Sequence, residues 1–518
     1  MSVIIPTYNR CTVLRKCLDA LSVQSVPPGR FEVIVCDDGS TDDTAAMVKN
    51  YSSAMELRYL PQDNRGPASA RNMGLHHAGG RWVLFLNDDA IGAPTLVEEH
   101  LRTLENTADD NLAVLGSFSF PSWFTASPFG YLLENTNLLF EFYRLTDGVI
   151  YDYSVFYTCN LSLPKSRVFE AGLFDEGFTG PSSEDIDLGY RLYKLGVKIL
   201  YAPQCRTTHD HCLTPSGFCN LQITRGKGVA RLFSRHPEIN WYRGMELKDV
   251  ERWQKLDTAL KEPAYAVMSA IDSVDKLAVE ALANDVATNK PGSEAGVPEV
   301  PGRLLPAVRF LQKYYARKGA LSSPSLLRMV NAPSHDYNPE SGWVPGRSSG
   351  GTGPKGVGSA NAESAKNFKS IGSFVKPGGP SQVLPTKSTL LPELDAALTG
   401  VEDVLRVALT KEIETVLKPL PALIAGRHIL VWGAGDGGAR TLKNLGLIGL
   451  VVDGFVDGNP QKKSYAGLPV YSPSYLRKSG REEYFVFIGS MYADEIAMEL
   501  AGLGFIEGED FSPNLSIY

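Results

Sequence analysis

Three clusters of polar side chains each stand directly after an apolar run in the first ninety residues. They are Thr7-Tyr8-Asn9, Asp37-Asp38-Gly39-Ser40 and Asn87-Asp88-Asp89. The carboxyl ends of the strands in an open parallel sheet form one ligand crevice, so clusters that follow strands are expected on a common rim. Each cluster alone would be more typical of a turn or a helix cap than of a ligand site. Three together favour a ligand site.

The residue types in these clusters suit a nucleotide diphosphate. Tyr8 offers an aromatic face, and Asp37 or Asp38 offers a carboxylate that can accept the imide N–H of a base. Asp88 and Asp89 supply the hard oxygen ligands that Mg²⁺ and Mn²⁺ prefer, and such a metal would neutralise the diphosphate.

Between the second and third clusters lies the stretch 64–72, which reads NRGPASARN. Gly66 permits close approach of the backbone to another group. Arg71 falls one turn into the predicted helix and is expected to point toward the nucleotide. The alternative for Arg71 is an ordinary surface arginine.

The elements that would position these residues alternate between strand and helix. Apolar runs at 3–6, 31–36, 57–60 and 82–86 predict strands, and an amphipathic stretch at 12–21 predicts a helix. Ser40 is expected to cap the second helix, and Gly79-Gly80 to end the third. This βαβ rhythm predicts an α/β fold.

Length and composition set outer limits on the function. A chain of 518 residues is expected to form two or three domains. Its 51 basic and 58 acidic residues show no run of one sign, which argues against nucleic acid as a partner. We expect no transmembrane segment, because no stretch approaches the ~20 apolar residues that one requires. Seven scattered cysteines suggest reduced thiols and a cytoplasmic location.

Residues beyond the first domain divide by composition into three parts. Residues 238–330 predict a helical extension. Residues 331–385 are rich in Gly, Ser, Pro and Asn and predict a flexible linker, at which proteolysis should separate two folded parts. Residues 386–518 predict a helix followed by a small Rossmann-like α/β domain.

The last part contains a glycine turn between a predicted strand and a predicted helix. Its members are Gly433, Gly435 and Gly438, and Asp457 ends the next strand. This context is typical of a dinucleotide-binding unit. The unit is too short for a complete dinucleotide site, so a structural role or a protein contact, including an oligomer contact, is favoured over nucleotide binding.

The motifs SVIIPTYNR, VIVCDDGSTDDT, NRGPASARNMGL and FLNDDA, in this order and spacing, resemble glycosyltransferase family 2 with its GT-A fold. The resemblance covers residues 1–237. The segments 172–176 and 184–192 are similar to the family's acceptor-side region. The resemblance implies transfer of a sugar from a nucleotide-diphospho-sugar, with UDP-sugars the commonest donors, to an acceptor hydroxyl with inversion at the anomeric carbon.

The resemblance also implies roles for individual residues. The implied donor contacts are Pro6, Thr7, Tyr8, Asp37, Asp38, Arg71, Asp88 and Asn160. Asn87 replaces the first aspartate of the family's metal motif, which leaves Mn²⁺ or Mg²⁺ mainly to Asp89. Asp185 is the implied catalytic base, with Glu184 and Asp187 as the alternatives. Asn160 has a turn residue as its equally good alternative.

His209 and His211 stand two residues apart after a predicted strand, so their side chains share one side. In the family 2 enzymes that this sequence resembles, a histidine at this position often completes the coordination of the metal. The alternative is a histidine with a structural role. Cys205, Cys212 and Cys219 raise the possibility of zinc. Their spacing lacks a CxxC pair, which favours packing.

Two other functions remain as alternatives. A nucleotidyltransferase that makes sugar nucleotides would need a glycine-rich, lysine-bearing signature near the start, and none is present. A nucleotide-sugar-binding scaffold or sensor would have an inactive domain, against which Asp88, Asp89 and Asp185 argue. The acceptor, whether glycan, lipid, peptide or small molecule, is not determined by the sequence, because acceptor sites are built from variable loops.

Overall fold

The computed structural model describes most of the chain outside one long central stretch. The described residues are 1–27, 29–107, 109–239, 250–287, 299–323, 392–416, 424, 426–459, 461–479, 481–489, 493–507 and 509–512. The predicted linker at 331–385 lies outside them.

The first domain is built on a nine-stranded mixed sheet. Its strands are β1 (Ser2–Thr7), β2 (Glu32–Asp37), β3 (Glu56–Pro61), β4 (Trp82–Leu86), β5 (Ala90–Gly92), β6 (Leu112–Ser119), β7 (Ile150–Tyr151), β8 (Asn160–Pro164) and β9 (Lys198–His209). The order is β3-β2-β1-β4-β8-β6-β9-β5, and β7 pairs with β9. Strands β3, β2, β1 and β4 are parallel, whereas β8 runs antiparallel to both β4 and β6. The parallel half confirms the α/β class, which the whole arrangement refines to the GT-A type.

Helices cover both faces of this sheet. They are α1 (Cys11–Ser22), α2 (Thr44–Lys49), α3 (Pro67–His77), α4 (Leu96–Thr107), α5 (Ser122–Thr125), α6 (Pro128–Asn135), α7 (Lys165–Glu170), α8 (Glu184–Lys194) and α9 (Pro215–Arg235). Val3 and Ile5 pack into one hydrophobic core and Ile4 into the other. A strand buried on both faces reads as a continuous apolar run, which explains why β1 was recognisable.

The prediction that Ser40 caps the second helix is wrong. Helix α2 begins only at Thr44, after Asp43, and no side chain caps it. The Ser40 hydroxyl instead accepts a hydrogen bond from the backbone N–H of Asn9 at 2.8 Å. This bond joins the loop after β2 to the loop after β1.

A helical bundle follows the first domain. It contains α10 (Val250–Ala287), α11 (Glu299–Leu321) and α12 (Pro392–Val416). Helix α11 packs on α9, and α12 packs on α10 and α11. Residues from α6, all three bundle helices and the C-terminal sheet belong to one hydrophobic core. No helix in the described part of the chain is long and apolar enough to cross a membrane.

The C-terminal part forms a second, smaller sheet. Its strands are β10 (His428–Trp432), β11 (Gly454–Val456), β12 (Ser464–Tyr465), β13 (Leu468–Tyr471) and β14 (Tyr484–Ile488), in the order β12-β13-β11-β10-β14. Helices α13 (Asp436–Leu447), α14 (Pro473–Ser479) and α15 (Ala493–Gly502) accompany them. Four of the strands are parallel, as the Rossmann-like prediction requires.

Candidate active site

The carboxyl ends of β1, β2 and β4 bring the three polar clusters onto one rim. Thr7 is in register with Asp37 across the β1–β2 pair. The Thr7 hydroxyl donates to Asp88 Oδ2 at 2.8 Å. The structure therefore joins the ends of three strands that are up to eighty residues apart in the sequence.

Asp89, His209 and His211 form the metal-capable group among the described residues. One ligand atom from each side chain lies within 4.8 Å of the others. His209 Nε2 is 3.4 Å and His211 Nδ1 is 3.6 Å from the same oxygen, Asp89 Oδ2. The antiparallel pairing of β5 with β9 places Ala90 opposite His209, which brings the aspartate and the histidines together.

Two aromatic rings hold His209 in place. The rings of Phe118 and Phe120 lie 4.4 and 4.7 Å from the imidazole, centroid to centroid. His209 is buried, whereas His211 is exposed. This aromatic support could not be predicted from the sequence, because Phe118 in β6 and Phe120 directly after it become neighbours of His209 only when the sheet forms.

The donor set fits a divalent cation. Asp89 Oδ1 and His209 Nδ1 are buried without a hydrogen-bond partner, although buried polar atoms are normally satisfied. Although burial acts in the opposite direction, hydrogen bonds from the two histidines, the charge of His209 and the charge of Arg10 hold the pKa of Asp89 below its usual range. An ionised carboxylate with imidazole nitrogens suits Mn²⁺.

Arg10 is a site residue that the sequence analysis missed. Its Nη2 donates to Asp89 Oδ2 at 2.8 Å, and its Nε lies 3.5 Å from Asp88 Oδ1. Burial raises the pKa of Asp88 to about 6, although the Arg10 charge acts in the opposite direction. The sequence did contain a signal for this role of Arg10. A cation at the start of α1 interacts unfavourably with the helix dipole, so some other contact must account for its presence there.

Asp37 and Asp38 are buried and largely occupied by protein groups. Asp37 accepts from the Ser40 N–H at 2.8 Å and from the Tyr59 hydroxyl at 2.5 Å. Asp38 accepts from the backbone N–H groups of residues 65 and 66, each at 2.8 Å. These carboxylates order the loops of the rim.

Tyr8 is 46% exposed at the same rim. The structure therefore leaves its ring available to a ligand. Gly66 has φ 94°, and a Cβ there would lie 2.6 Å from the Thr179 carbonyl oxygen. Its close backbone approach is thus to the chain itself.

Arg71 lies inside the protein, in a pair with Glu184. Its Nη1 donates to Glu184 Oε1 at 2.9 Å, and its Nη2 lies 3.4 Å from Asn87 Oδ1. The alternative of a surface arginine is wrong, since Arg71 is only 4% exposed. Arg71 connects the start of α8 to Asn87, which directly follows β4 and precedes Asp88 and Asp89 in the sequence.

The acidic segment begins α8 after Ser183, whose φ of 68° lies in the left-handed region. Burial, followed by the neighbouring Asp185 charge, raises the pKa of Glu184 to about 7. Asp185 is partly exposed, and burial also raises its pKa. Its Oδ1 accepts a hydrogen bond from the backbone N–H of Ile186 at 2.8 Å.

Asp187 has a different environment. Its side chain is 0% exposed and makes ion pairs with Arg191, Arg235 and His236. These partners hold its pKa below the usual range despite burial. The arrangement anchors α8 to the end of α9.

Asn160, an expected donor contact, lies within the sheet. It is fully buried, and its Nδ2 donates to the carbonyls of Ser117 and Cys205 at 3.0 and 2.8 Å. Its Oδ1 pairs with His100 Nε2 at 2.9 Å. This geometry does not bring Asn160 to the cleft.

The suggested zinc site is not supported. Of the three cysteines, Cys205 and Cys219 are buried, and the metal-capable group among the described residues contains no thiol. Packing accounts for these side chains.

With this geometry established, comparison with known proteins places the domain. A family model described as "Glycosyl transferase family 2" matches residues 2–156. Residues 2–156 are therefore similar to glycosyltransferase family 2. Validoxylamine A glucosyltransferase of Streptomyces hygroscopicus subsp. limoneus is 32% identical over 271 residues, 46% of this chain. Chondroitin synthase of Escherichia coli is 29% identical over 225 residues, 38% of this chain.

The family 2 domain accounts for only part of these relatives. The match spans 58% of the glucosyltransferase and 32% of the synthase. A Pyrobaculum calidifontis mannosyltransferase, solved with GDP-Man and Mn²⁺, is 21% identical with a TM-score of 0.35, covering 46% of this chain and 64% of its own. Staphylococcus aureus TarS 1–349 with UDP is 17% identical, also with a TM-score of 0.35, covering 62% and 90%.

The C-terminal glycine turn lies outside the family 2 domain and is filled by its own chain. A Cβ on Gly438 would lie 1.7 Å from the Gly433 carbonyl oxygen, whereas one on Gly435 would meet nothing within 4 Å. Asp457 Oδ2 accepts from the Ala434 N–H at 3.0 Å and lies 3.4 Å from Lys462 Nζ. The Asp457 carboxylate, which would contact the ribose in a dinucleotide site, is therefore already hydrogen-bonded to the chain itself.

Proposed function

We propose that this protein is an inverting glycosyltransferase that moves a sugar from a UDP-sugar to an acceptor hydroxyl. The observation that carries the proposal is that Arg71 connects the segment of a partly exposed carboxylate, Asp185, to the strand end that carries a metal-capable group. Arg71 is the link between them, through Asn87 on one side and Glu184 on the other.

The donor nucleotide binds at the ends of β1 and β2. The exposed ring of Tyr8 stacks on the base, while Pro6 and Thr7 form the floor beneath it. Asp37 and Asp38 shape this pocket by holding the loops at residues 40 and 65–66. Arg71 acts indirectly in this proposal, because its guanidinium is committed to Glu184.

Asp89, His209 and His211 hold the Mn²⁺ or Mg²⁺ ion, and Asp88 faces the ribose or diphosphate. A divalent ion held by these residues would neutralise the charge of the leaving diphosphate, which would then need no acid to protonate it. Asp89 contributes the ionised oxygen, and the stacked ring of His209 is already oriented before the ion binds.

Asp185 takes the proton of the acceptor hydroxyl. Among the three acidic candidates, Asp187 has both oxygens in ion pairs and Glu184 has one oxygen on Arg71. Asp185 is the most open, and its raised pKa makes it a stronger base than an ordinary carboxylate. Attack then occurs from the face opposite the diphosphate, which inverts the anomeric carbon.

The C-terminal domain serves a structural or protein-contact role in this proposal. Its glycine turn closes on itself through Gly438 and Asp457. The hydrogen bond of Asp457 to the Ala434 N–H favours this role over nucleotide binding.

The function is tested by a screen of sugar nucleotides for Mn²⁺-dependent hydrolysis by the purified chain, which needs no acceptor. We expect turnover of a UDP-sugar, and loss of both turnover and Mn²⁺-dependent UDP binding in Asp89→Asn. Asp210→Asn is the matched control, because Asp210 neighbours the site and pairs with Lys16. If no donor is bound or hydrolysed by the wild-type chain, the domain is an inactive scaffold and the proposal is wrong.

A further inference from the structure

Asp89 Oδ2 is approached by three groups that cannot all serve one metal. His209 Nε2 and His211 Nδ1 lie 3.4 and 3.6 Å away and can be ligands. Arg10 Nη2 lies closer, at 2.8 Å, and is a permanent cation that cannot bind a metal. The guanidinium thus sits at the oxygen on which the histidines converge.

The reason for this cation lies in the burial of the carboxylates. The side chains of Asp88 and Asp89 are 7% and 4% exposed. Buried carboxylates are costly unless a counter-charge accompanies them. Within the described part of the chain, Arg10 is the permanently charged side chain that reaches both carboxylates, and it therefore compensates for their negative charge.

Arg10 is also able to leave this position. Its side chain is 30% exposed, in contrast to the nearly enclosed carboxylates. A divalent ion at Asp89 would repel the guanidinium across a short distance. A guanidinium released beside the metal has a planar set of donors that matches a phosphate group.

We propose that Arg10 is an exchangeable cation of the donor site. It occupies Asp88 and Asp89 before the metal binds, and the metal displaces it onto the donor's diphosphate. This inference rests on the proposed function, since it takes the metal and the nucleotide diphosphate from there. It assigns Arg10 two opposing effects, one against binding of the metal alone and one in favour of the diphosphate.

The test uses Arg10→Gln in the full-length protein with two binding measurements and no turnover. Mn²⁺ alone is titrated and followed by the electron paramagnetic resonance of the free ion. UDP is titrated by calorimetry at saturating Mn²⁺. Arg10→Gln should bind Mn²⁺ on the order of 10-fold more tightly and UDP on the order of 10-fold more weakly.

Lys16→Gln provides the matched control. Lys16 is another cation of α1, and its Nζ lies 2.6 Å from Asp210 rather than from a candidate ligand. It should change neither affinity. Arg10→Lys, which keeps the charge but loses the planar donors, should keep the wild-type Mn²⁺ affinity and lose part of the UDP affinity.

The possible outcomes distinguish a failure of the Arg10 exchange from a failure of the proposed metal site. Unchanged or weaker Mn²⁺ binding by folded Arg10→Gln would overturn the exchange, as would unchanged UDP binding, while leaving the metal site intact. If Arg10→Gln fails to fold, Arg10→Lys decides the matter, because full UDP affinity in that variant contradicts a planar diphosphate contact. Absence of Mn²⁺ binding by the wild type would instead refute the proposed metal site itself.

Discussion

Acidic side chains of one chemical type acquire different properties at this site because their partners differ. Asp187 is surrounded by three basic groups and its pKa is lowered, whereas burial raises the pKa of Glu184 and of Asp185. Only Asp185 of these three combines partial exposure with freedom from an ion pair. Position in the sequence separates the three by at most three residues, so their environment must determine their roles.

The assignment of the base predicts a separation between chemistry and binding. Asp185→Asn preserves shape and removes basicity, so sugar transfer should fall by a factor of about 10² to 10⁴ while donor affinity stays nearly unchanged. Rapid-quench transfer assays and UDP calorimetry would measure the two quantities. Loss of donor affinity together with transfer would place Asp185 on the metal or diphosphate.

Asp187→Asn is the informative companion. Removing this charge leaves the buried ends of Arg191 and His236 uncompensated, so the free energy of unfolding should fall by about 3 kcal/mol. Denaturant unfolding would measure the loss. A stable Asp187→Asn protein with transfer reduced as in Asp185→Asn would show that Asp187 is the base.

The raised pKa of Glu184 predicts a dependence of stability on pH. The folded chain keeps the Glu184 proton to about pH 7, whereas the unfolded chain loses it near the usual value of 4.5. The contribution of this group to stability is therefore complete below pH 4.5 and is lost as the pH rises to about 7. Urea unfolding across this window should show a shallower fall for Glu184→Gln than for the wild type. Parallel slopes would mean that Glu184 is ionised throughout.

Residue types could be predicted from the sequence, whereas the partners of those residues could not. The carboxylates and histidines of the metal-capable group were identified because few other roles suit such residues after strands. Arg10 and Phe120 were missed, because their function depends on atoms more than seventy residues away. The sequence suggested that Arg71 contacts the nucleotide. In the structure it pairs instead with Glu184, which is 113 residues away in the sequence.

At the scale of elements, strand β9 ends at His209, two residues before His211, and its position depends on a buried polar network. Next to Cys205 the pairing of β6 with β9 shifts register. The Asn160 amide donates a hydrogen bond to one carbonyl on each of these strands. Gly116 lies at this shift, and a Cβ there would be 2.2 Å from the Asn160 amide nitrogen. Asn160 thus supports the metal site from within the sheet.

This placement predicts a loss of stability in Asn160→Ala. Two carbonyls and the His100 ring would each lose one hydrogen bond, at a cost of about 2 kcal/mol or more. Asn135→Ala is the control, because its Nδ2 bonds a carbonyl at an exposed position. Thermal unfolding would compare them. A donor-contact role would appear instead as weaker UDP binding with unchanged stability.

The glycine turn of the C-terminal domain allows a similarly matched pair. Gly438→Ala places a methyl group against the Gly433 carbonyl, so we expect a loss of about 3 kcal/mol in stability. Gly435→Ala has open space and should be tolerated. Chemical denaturation of both variants would measure the difference. A stable Gly435→Ala protein that fails to bind a nucleotide retained by the wild type would show that the turn is a ligand site.

Elements were predictable where burial imposes a simple pattern. Strand β4 was expected at 82–86 and occurs at Trp82–Leu86, because a strand covered on both faces has only apolar residues. The start of α2 was predicted wrongly, because the Ser40 hydroxyl accepts a hydrogen bond from the Asn9 N–H in the neighbouring loop and does not cap its own helix. A local capping rule cannot anticipate a bond across thirty-one residues.

At the scale of the whole molecule, helices from both sides of the predicted linker share one core. Leu304 on α11 and Leu398 on α12 are fully buried in the same hydrophobic cluster. Arg303 on α11 also bonds Asp395 at 2.6 Å and Glu402 at 2.9 Å on α12. The sequence suggested a helix attached to the C-terminal domain, since periodicity reveals an apolar face without revealing what covers it.

This shared core predicts that cutting the chain within 331–385 does not separate its two parts, contrary to the expectation from the linker composition. A protease site inserted there should yield two fragments that co-elute in size-exclusion chromatography at the mass of the intact protein. Leu398→Asp puts a charge into the core between α12 and its neighbours, and should make the cut fragments dissociate. Asp395→Asn, which removes an exposed ion pair worth at most about 1 kcal/mol, should leave them associated. Separation of the wild-type fragments after cleavage would show that the bundle depends on the intact chain and that the modular interpretation was correct.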